Sequence, residues 1–295
     1  MIEQAGEGVA AAGAAAHAAQ PVPEKAIESI GQQIAHTILH HVTNSNELEL
    51  PFIGSVHLPH LELFGIDLSI TKHVVMMWVV AVLLLLLFGL ASRRRSLVPT
   101  GLANVLEAGV VFVRDEIAVK TLGEKDGRRL SPYLLTVFFF ILFCNLLGLV
   151  PYGASATGNI NVTGALALGT LVLVQVEGIR SHGFAKHFKH MIPGGLPAWL
   201  FPVSLLIFFL ELLGFIVLKP FALMVRLFAN MTAGHVAILA FISVTFALHQ
   251  VAAAPLSIGF ALFVSTLELL VALIQAYVFT ILTSLFVGLT LHPAH

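Results

Sequence analysis

Residues 219–235, KPFALMVRLFANMTAGH, place a guanidinium inside a segment that is otherwise apolar enough to cross a membrane. Arg226 is followed four residues later by Asn230 and nine residues later by His235. A charged side chain at the centre of a bilayer costs about 2.5 kcal/mol or more, and it normally faces protein or water. The stretch therefore predicts a membrane protein in which a positive charge within the bilayer has a function.

The composition of the whole chain indicates the same class. Of 295 residues, 58% are hydrophobic and 11% are charged, whereas a soluble domain carries about 25% charged residues. We therefore predict an all-α polytopic membrane protein that resides in the lipid bilayer. The net charge of −1 offers no basic excess for nucleic acid, and the single cysteine, Cys144, excludes an internal disulfide and a cysteine-ligated metal. We expect no metal and no cofactor.

Five apolar runs are long enough to form spanning helices, which need about 20 residues each. They lie near residues 74–91, 132–151, 161–177, 198–248 and 255–291. The last two runs are long enough to lie tilted, and we predict that they form an antiparallel hairpin about a turn near residue 252.

Residues 73–295 thus form a predicted membrane domain, and residues 1–72 a predicted extracytoplasmic region. The first 25 residues are rich in Ala and Gly and are expected to be disordered. Residues 47–63, ELELPFIGSVHLPHLEL, alternate weakly and predict short strands. Residues 101–122 have apolar residues at helical spacing and charged residues on a more polar face. They therefore predict a helix lying on the membrane interface.

Positive charge predicts the orientation of the chain in the membrane. Residues 93–129 contain eight Lys and Arg residues, whereas the short loops near 152–160 and 249–255 contain none. We therefore expect the N-terminus outside, the 93–129 segment in the cytoplasm and the C-terminus in the cytoplasm.

Apart from Glu177 at the end of the third span, four full charges fall within the proposed spans, and these belong to the last two: Glu211, Lys219, Arg226 and Glu268. At 100° per residue, Lys219, Arg226 and Asn230 lie within about 60° of one another on one stripe of a helix. No carboxylate of this chain falls at the depth of Arg226 on the matching face. A counter-ion from a partner chain is therefore expected.

Folding the hairpin about residue 252 places its polar residues in two layers. Arg226 and Asn230 fall at the depth of Gln275, and His235 falls at the depth of Glu268. Other interpretations stay open: the amides could simply bond across the helix interface, and His235 with Glu268 could be a buried structural pair. Lys219 could extend its ammonium to the membrane surface.

Four motifs across residues 74–291 resemble subunit a of bacterial ATP synthases, the stator of the proton-translocating membrane sector. They are LFCNLLGLVPY (142–152), NINVTGALALG (159–169), KPFALMVRLFANMTAGH (219–235) and LELLVALIQAYVFTILT (267–283). The resemblance implies a multi-pass protein of the cytoplasmic membrane that provides two aqueous half-channels for protons. It also implies two kinds of partner, a ring of c subunits that carry a membrane carboxylate and the peripheral-stalk subunit b.

The same resemblance implies roles for individual residues. Arg226 matches the essential arginine of the family, and Asn230 and Gln275 match the polar residues beside it. His235 and Glu268 match a proton-relay pair that many members carry in the reverse order. The secondary candidates are Asn145, where some members carry an acid, Glu211, which lies one residue from the usual spacing, Lys219, and His249 at the hairpin turn.

The chain itself has no phosphate-binding loop and is not expected to make ATP. The main alternative is a stand-alone secondary transporter or channel, which would need a complete ion path and usually internal repeats. No repeat is evident in the sequence. A purely structural anchor is the third class, and a lone Arg226 within the bilayer argues against it.

Overall fold

The computed structural model describes residues 32, 47–50, 54–57, 59, 62–63, 66–67, 69–93, 100–150, 153, 155–189, 201–248 and 254–292. The predicted disordered tail and His249 lie outside the described residues. Strands β1 (Glu47–Leu50) and β2 (Gly54–His57) form one antiparallel pair, and β3 (Glu62–Leu63) and β4 (Ile66–Asp67) form another. The strands occur within and just after the segment whose alternation predicted them.

The rest of the described chain is helical, as the composition predicted. Helix α1 is Lys72–Arg93, α2 is Leu102–Val111 and continues as π-helical turns over Phe112–Val119, and α3 is Lys120–Gly148. Helix α4 is Ile160–His182, α5 is Phe184–Lys189, and α6 is Phe201–Leu213 with a π-helical continuation over Gly214–Leu218. Helices α7 (Lys219–Leu248) and α8 (Ala254–Leu291) complete the fold.

Within the part of the chain that the structure describes, five stretches of helix are long and apolar enough to cross a membrane. They are Lys72–Arg93, Leu102–Gly148, Ile160–His182, Val203–Ser243 and Pro255–Leu291. The predicted class, an all-α polytopic membrane protein with five spanning helices, is therefore confirmed.

Gly123 divides the second of these stretches. Its backbone angles, φ 80° and ψ 169°, are non-helical and favour glycine. The chain reverses there, so that Gly127 lies against Ala118 and Phe139 lies against Gly109. A Cβ on Gly127 would come within 2.7 Å of the carbonyl oxygen of Ala118, so the close approach of the two segments requires glycine. Residues 102–122 are thus a separate arm that packs back on α3.

Helices α7 and α8 form the predicted antiparallel hairpin. In three contacts between the helices, the residue number rises along α7 as it falls along α8. The contacts are Asn230 with Gln275, His235 with Glu268, and a stacked pair of rings, Phe241 with Phe260. One apolar core then joins the hairpin to α3, α4 and the arm. It contains Val113, Ile117, Leu134, Ile141, Leu223, Leu227 and Phe279. This core fixes how the polar residues of the hairpin face one another.

Candidate functional site

Helix α7 has one face inside the bundle and one outside it. Leu223, Leu227 and Met231 are no more than 2% exposed, whereas Arg226 and Asn230 lie on the exposed side. Among the residues that the structure describes, the guanidinium of Arg226 has no hydrogen bond and no ion pair. The guanidinium of Arg226 therefore lies on the exposed side of α7, where the described residues supply no counter-ion.

The first polar layer, which is farther from the hairpin turn, is held by an amide pair. The side-chain Nδ2 of Asn230 donates to Oε1 of Gln275 at 2.7 Å. Gln275 is 2% exposed, and its Nε2 is buried without a partner in the described part of the chain. Arg226 lies one helical turn away from Asn230, beside this pair and not bonded to it. The layer therefore offers a buried donor and an exposed cation on neighbouring faces of the hairpin.

The second polar layer, which is nearer the hairpin turn, is a hydrogen-bonded acid and base. Nδ1 of His235 lies 2.9 Å from Oε1 of Glu268, and Nε2 of His235 lies 3.0 Å from the carbonyl oxygen of Gly148. Because a carbonyl oxygen only accepts, Nε2 carries a proton. Nδ1 and Oε1 must then share one further proton, held by a neutral Glu268 or by a charged His235. A single proton thus lies in the hydrogen bond between the two side chains.

Glu268 is deeply enclosed. It is 4% exposed, and its Oε2 is buried without a partner among the described residues. Its carboxyl lies directly against the backbone of α7 at Gly234, where a Cβ would come within 2.2 Å of Oε1. The absence of a side chain at Gly234 therefore admits Glu268 to its place beside His235. Sequence reasoning missed this residue, although a glycine in a helix interior is unfavourable by about 1 kcal/mol relative to alanine and so signals a packing reason.

The resemblance to ATP synthase subunit a makes proton-driven ATP synthesis by the assembled complex the activity to measure, and we expect the Gly234→Ala variant to lose about tenfold or more of it, because a misplacement of about 1 Å can cost about a hundredfold. The new methyl group would push Glu268 away from His235. The matched control is Gly89→Ala on α1, where a Cβ meets nothing within 4 Å. Both changes improve helix propensity equally. The test compares proton-driven ATP synthesis by the two variants in membrane vesicles. Equal activities would show that Gly234 has no positioning role.

Asn145 connects α3 to α8 at a position between the two layers. It is fully buried, its Nδ2 donates to the carbonyl oxygen of Ala272 at 3.4 Å, and its Oδ1 accepts from the Thr157 hydroxyl at 2.5 Å. The Thr157 hydroxyl is also bonded to that of Ser155 at 2.7 Å. Ala272 lies on α8 between Glu268 and Gln275. Asn145 therefore stands inside the site as a hydrogen-bonding group.

The remaining candidates lie away from the two layers. The ammonium of Lys219 packs over aromatic rings, 4.3 Å from the centroid of Phe215 and 5.4 Å from that of Phe286. Such cation–π contacts hold a lysine against the protein, so Lys219 does not need to reach the membrane surface for stabilisation. Glu211 is exposed on α6.

The family model described as "ATP synthase A chain" matches residues 74–288, a range that includes both polar layers. ATP synthase subunit a 2 of Chlorobaculum tepidum is 48% identical over 292 residues, which cover 97% of this chain and 78% of the relative. ATP synthase subunit a of Myxococcus xanthus is 50% identical over 233 residues, covering 78% of this chain and 75% of the relative. The subunit a of Chloroherpeton thalassium is 45% identical over 264 residues, covering 87% and 77%.

Proposed function

The chain belongs to the ATP synthase A chain family, and from that premise we propose that it provides two aqueous half-channels for protons that move to and from a rotating ring. It is a multi-pass bacterial membrane protein, a proton-translocating subunit of an F-type ATP synthase. The half-channels, the ring and the role of each residue are our proposal.

The observation that supports it most strongly is the state of Arg226. A guanidinium on the outer face of a membrane helix, with no partner in the described part of its own chain, is costly against lipid. A carboxylate on a neighbouring chain removes this cost. A ring of c subunits, each with one membrane carboxylate, would supply such a partner repeatedly as it turns.

Arg226 acts on the ring through its fixed charge. It favours the ionised form of each carboxylate that passes it, and a guanidinium cannot itself lose a proton in a protein. Each passing carboxyl must therefore release its proton before it meets Arg226. The same positive charge lies between the two half-channels and repels a proton that would cross directly.

His235 and Glu268 act as the relay on the entry side. Their shared proton can move between Nδ1 and Oε1 over a 2.9 Å hydrogen bond, and the histidine can accept a replacement from water. The proton then passes to a ring carboxylate and leaves on the cytoplasmic side after nearly a full rotation. Each elementary charge that crosses the membrane yields about 2.3 kcal/mol per 100 mV.

Reconstitution distinguishes this proposal from a stand-alone transporter or channel. The purified chain in vesicles should conduct no protons, because the path it offers is completed by the ring carboxylates. The same chain assembled with its ring and peripheral-stalk subunit b should conduct them passively. Proton flux through the isolated chain, at the rate of the assembled sector, would instead show a complete path within one chain.

The orientation of the chain can be tested on the arm, residues 102–122. Its Val113, Ile117 and Leu122 are buried, whereas Glu107 and Lys120 are exposed. We expect Glu107→Cys and Lys120→Cys to react with a membrane-impermeant thiol reagent from the cytoplasmic side only. The unmodified chain is the control, since its Cys144 is buried. Reaction from the outside would reverse the proposed topology.

A further inference from the structure

At the depth of Arg226 most side chains inside the bundle are apolar, and the buried hydroxyl of Thr280 on α8 is bonded within its own helix, donating to the carbonyl oxygen of Ala276 at 2.8 Å. On α7, Arg226 lies between Leu223 and Leu227, which point into the bundle and are 2% and 0% exposed. Phe279 of α8 is 1% exposed and belongs to the same packed cluster. Helices α3 and α4 add further buried members of that cluster. We call the set the apolar layer; it consists of Phe138, Ile141, Ala167, Leu223, Leu227 and Phe279.

Buried polar groups lie on both sides of this layer. On the outer side is Gln275, whose Nε2 is buried without a partner in the described ranges. On the inner side Thr283 and Thr170, both buried, place their hydroxyl oxygens 3.3 Å apart. A cavity of about 10 Å³ lies beside Thr170, and apart from Thr170 and Lys219 its lining is apolar. That volume is about the size needed for one water molecule.

The inner polar groups continue toward the end of the bundle. Arg129 pairs with the buried Glu177, and it lies 3.2 Å from Asp126. Asp126 lies 3.9 Å from His292, whose side chain is 66% exposed. Thr170 and Glu177 are seven residues apart on α4, about 10 Å along the helix, so buried polar side chains recur between the middle of the bundle and its end.

Phe279 stands between the two polar regions. Gln275, Phe279 and Thr283 are four residues apart in turn, so they follow one face of α8, and about 12 Å of helix separates Gln275 from Thr283. A proton needs hydrogen-bonding groups or water at each step, and a charge without them in an apolar medium is strongly disfavoured. The ring of Phe279 offers neither.

We propose that the apolar layer is an internal proton seal, in which Phe279 prevents protons that arrive at the depth of Gln275 from reaching Thr283 through the inside of the subunit. The inference rests on the proposed function, which brings protons to the outer polar groups. Arg226 then closes the exposed face of the hairpin by its charge, and the apolar layer closes the inner face at the same depth by excluding hydrogen-bonding groups. Without the seal, protons would cross without turning the ring.

A leak that bypasses the ring is the property to measure. The test uses the complete membrane sector in vesicles, with the membrane carboxylate of every c subunit replaced by an amide. In this background we expect Phe279→Asn to raise passive proton flux about tenfold above the wild-type chain, which corresponds to about 1.4 kcal/mol off the barrier. Ile141→Asn, which adds a polar group to the layer from α3, should leak as well.

Two controls separate polarity from damage. Phe279→Leu leaves space but no hydrogen-bonding group and should stay at the wild-type flux. Phe263→Asn changes a ring that is 60% exposed and lies outside the layer, so it should also stay there. Fluxes are compared at equal amounts of assembled chain.

The seal is refuted if Phe279→Asn and Ile141→Asn both assemble and neither conducts above the wild-type chain. It is refuted equally if Phe279→Leu leaks as much as Phe279→Asn. The lost volume of the ring, and not an added hydrogen-bonding group, would then cause the leak. Failure of the proposed function looks different. The wild-type chain with the amide ring would itself conduct protons, whatever residue stands at position 279.

Discussion

Replacement of Arg226 by alanine should abolish proton-driven ATP synthesis while the complex still assembles. The guanidinium bonds to nothing within the described residues and lies on an exposed face, so its removal leaves no partner unpaired inside the chain. Loss of a charge from the bilayer also relieves a desolvation cost. What disappears is the fixed charge that makes each ring carboxylate release its proton.

Arg226→Lys should fail as well. A compact ammonium lacks the planar fork of donors that a guanidinium presents to a carboxylate, and it can lose its proton when it is desolvated. ATP synthesis in energised inverted vesicles gives the readout, together with the amount of chain assembled in the membrane.

Arg128→Ala is the matched control for a lost arginine. Arg128 is exposed and pairs with Glu124 at 2.8 Å across one turn of helix, and such surface pairs contribute about 0.5 kcal/mol or less. Its synthesis should equal that of the unmodified chain. If Arg128→Ala lost as much ATP synthesis as Arg226→Ala, the loss would not be specific to position 226. The proposed role of Arg226 would then be wrong.

The exchange of His235 and Glu268 should restore much of what either single change destroys. His235→Glu places two carboxyls across the hairpin and Glu268→His places two imidazoles there, and neither pair has an acid matched to a base. General acid–base groups contribute about 100-fold to 10,000-fold to proton transfer, so we expect each single variant to lose at least about 100-fold in synthesis. The double variant again has one imidazole and one carboxyl at equal depth. We expect it to exceed both singles by about tenfold.

The side chain at position 268 packs against the backbone of Gly234, so the exchange keeps this glycine unchanged. Synthesis by the four chains, measured at equal assembly, checks the result. A double variant no better than the two singles would mean that His235 and Glu268 do not work as one unit.

In the hairpin, helical geometry allowed the sequence to predict which residues of the two helices lie at the same depth. The two runs are long, the turn between them is short, and antiparallel helices keep a constant rise per residue, so depth could be assigned by counting from residue 252. This is why the pairing of His235 with Glu268 was predictable. The bond from Asn230 to Gln275 also falls in the predicted layer, although the sequence could not tell whether Asn230 or Arg226 would reach the amide.

Counting residues from the hairpin turn could not predict contacts between helices that are distant in the sequence. The role of Gly234 depends on Glu268, and the bond from His235 to the Gly148 carbonyl depends on how α3 packs against α7. The ring of Phe286 reaches Lys219 from another helix, whereas Phe215 lies four residues before Lys219 and was a local signal. The π-helical turns at 112–119 and 214–218 also went unpredicted, because a shift in hydrogen-bond register leaves little trace in composition.

Passive proton flux through the membrane sector tests the role of Arg226 most directly. The measurement uses vesicles stripped of the catalytic part, with the unmodified chain or with Arg226→Ala at equal assembly. If Arg226 is the barrier between two half-channels, flux through the alanine variant equals or exceeds that of the unmodified chain, although its ATP synthesis is lost. Flux that falls to the level of vesicles without this chain, or synthesis that stays normal, would contradict the proposed mechanism.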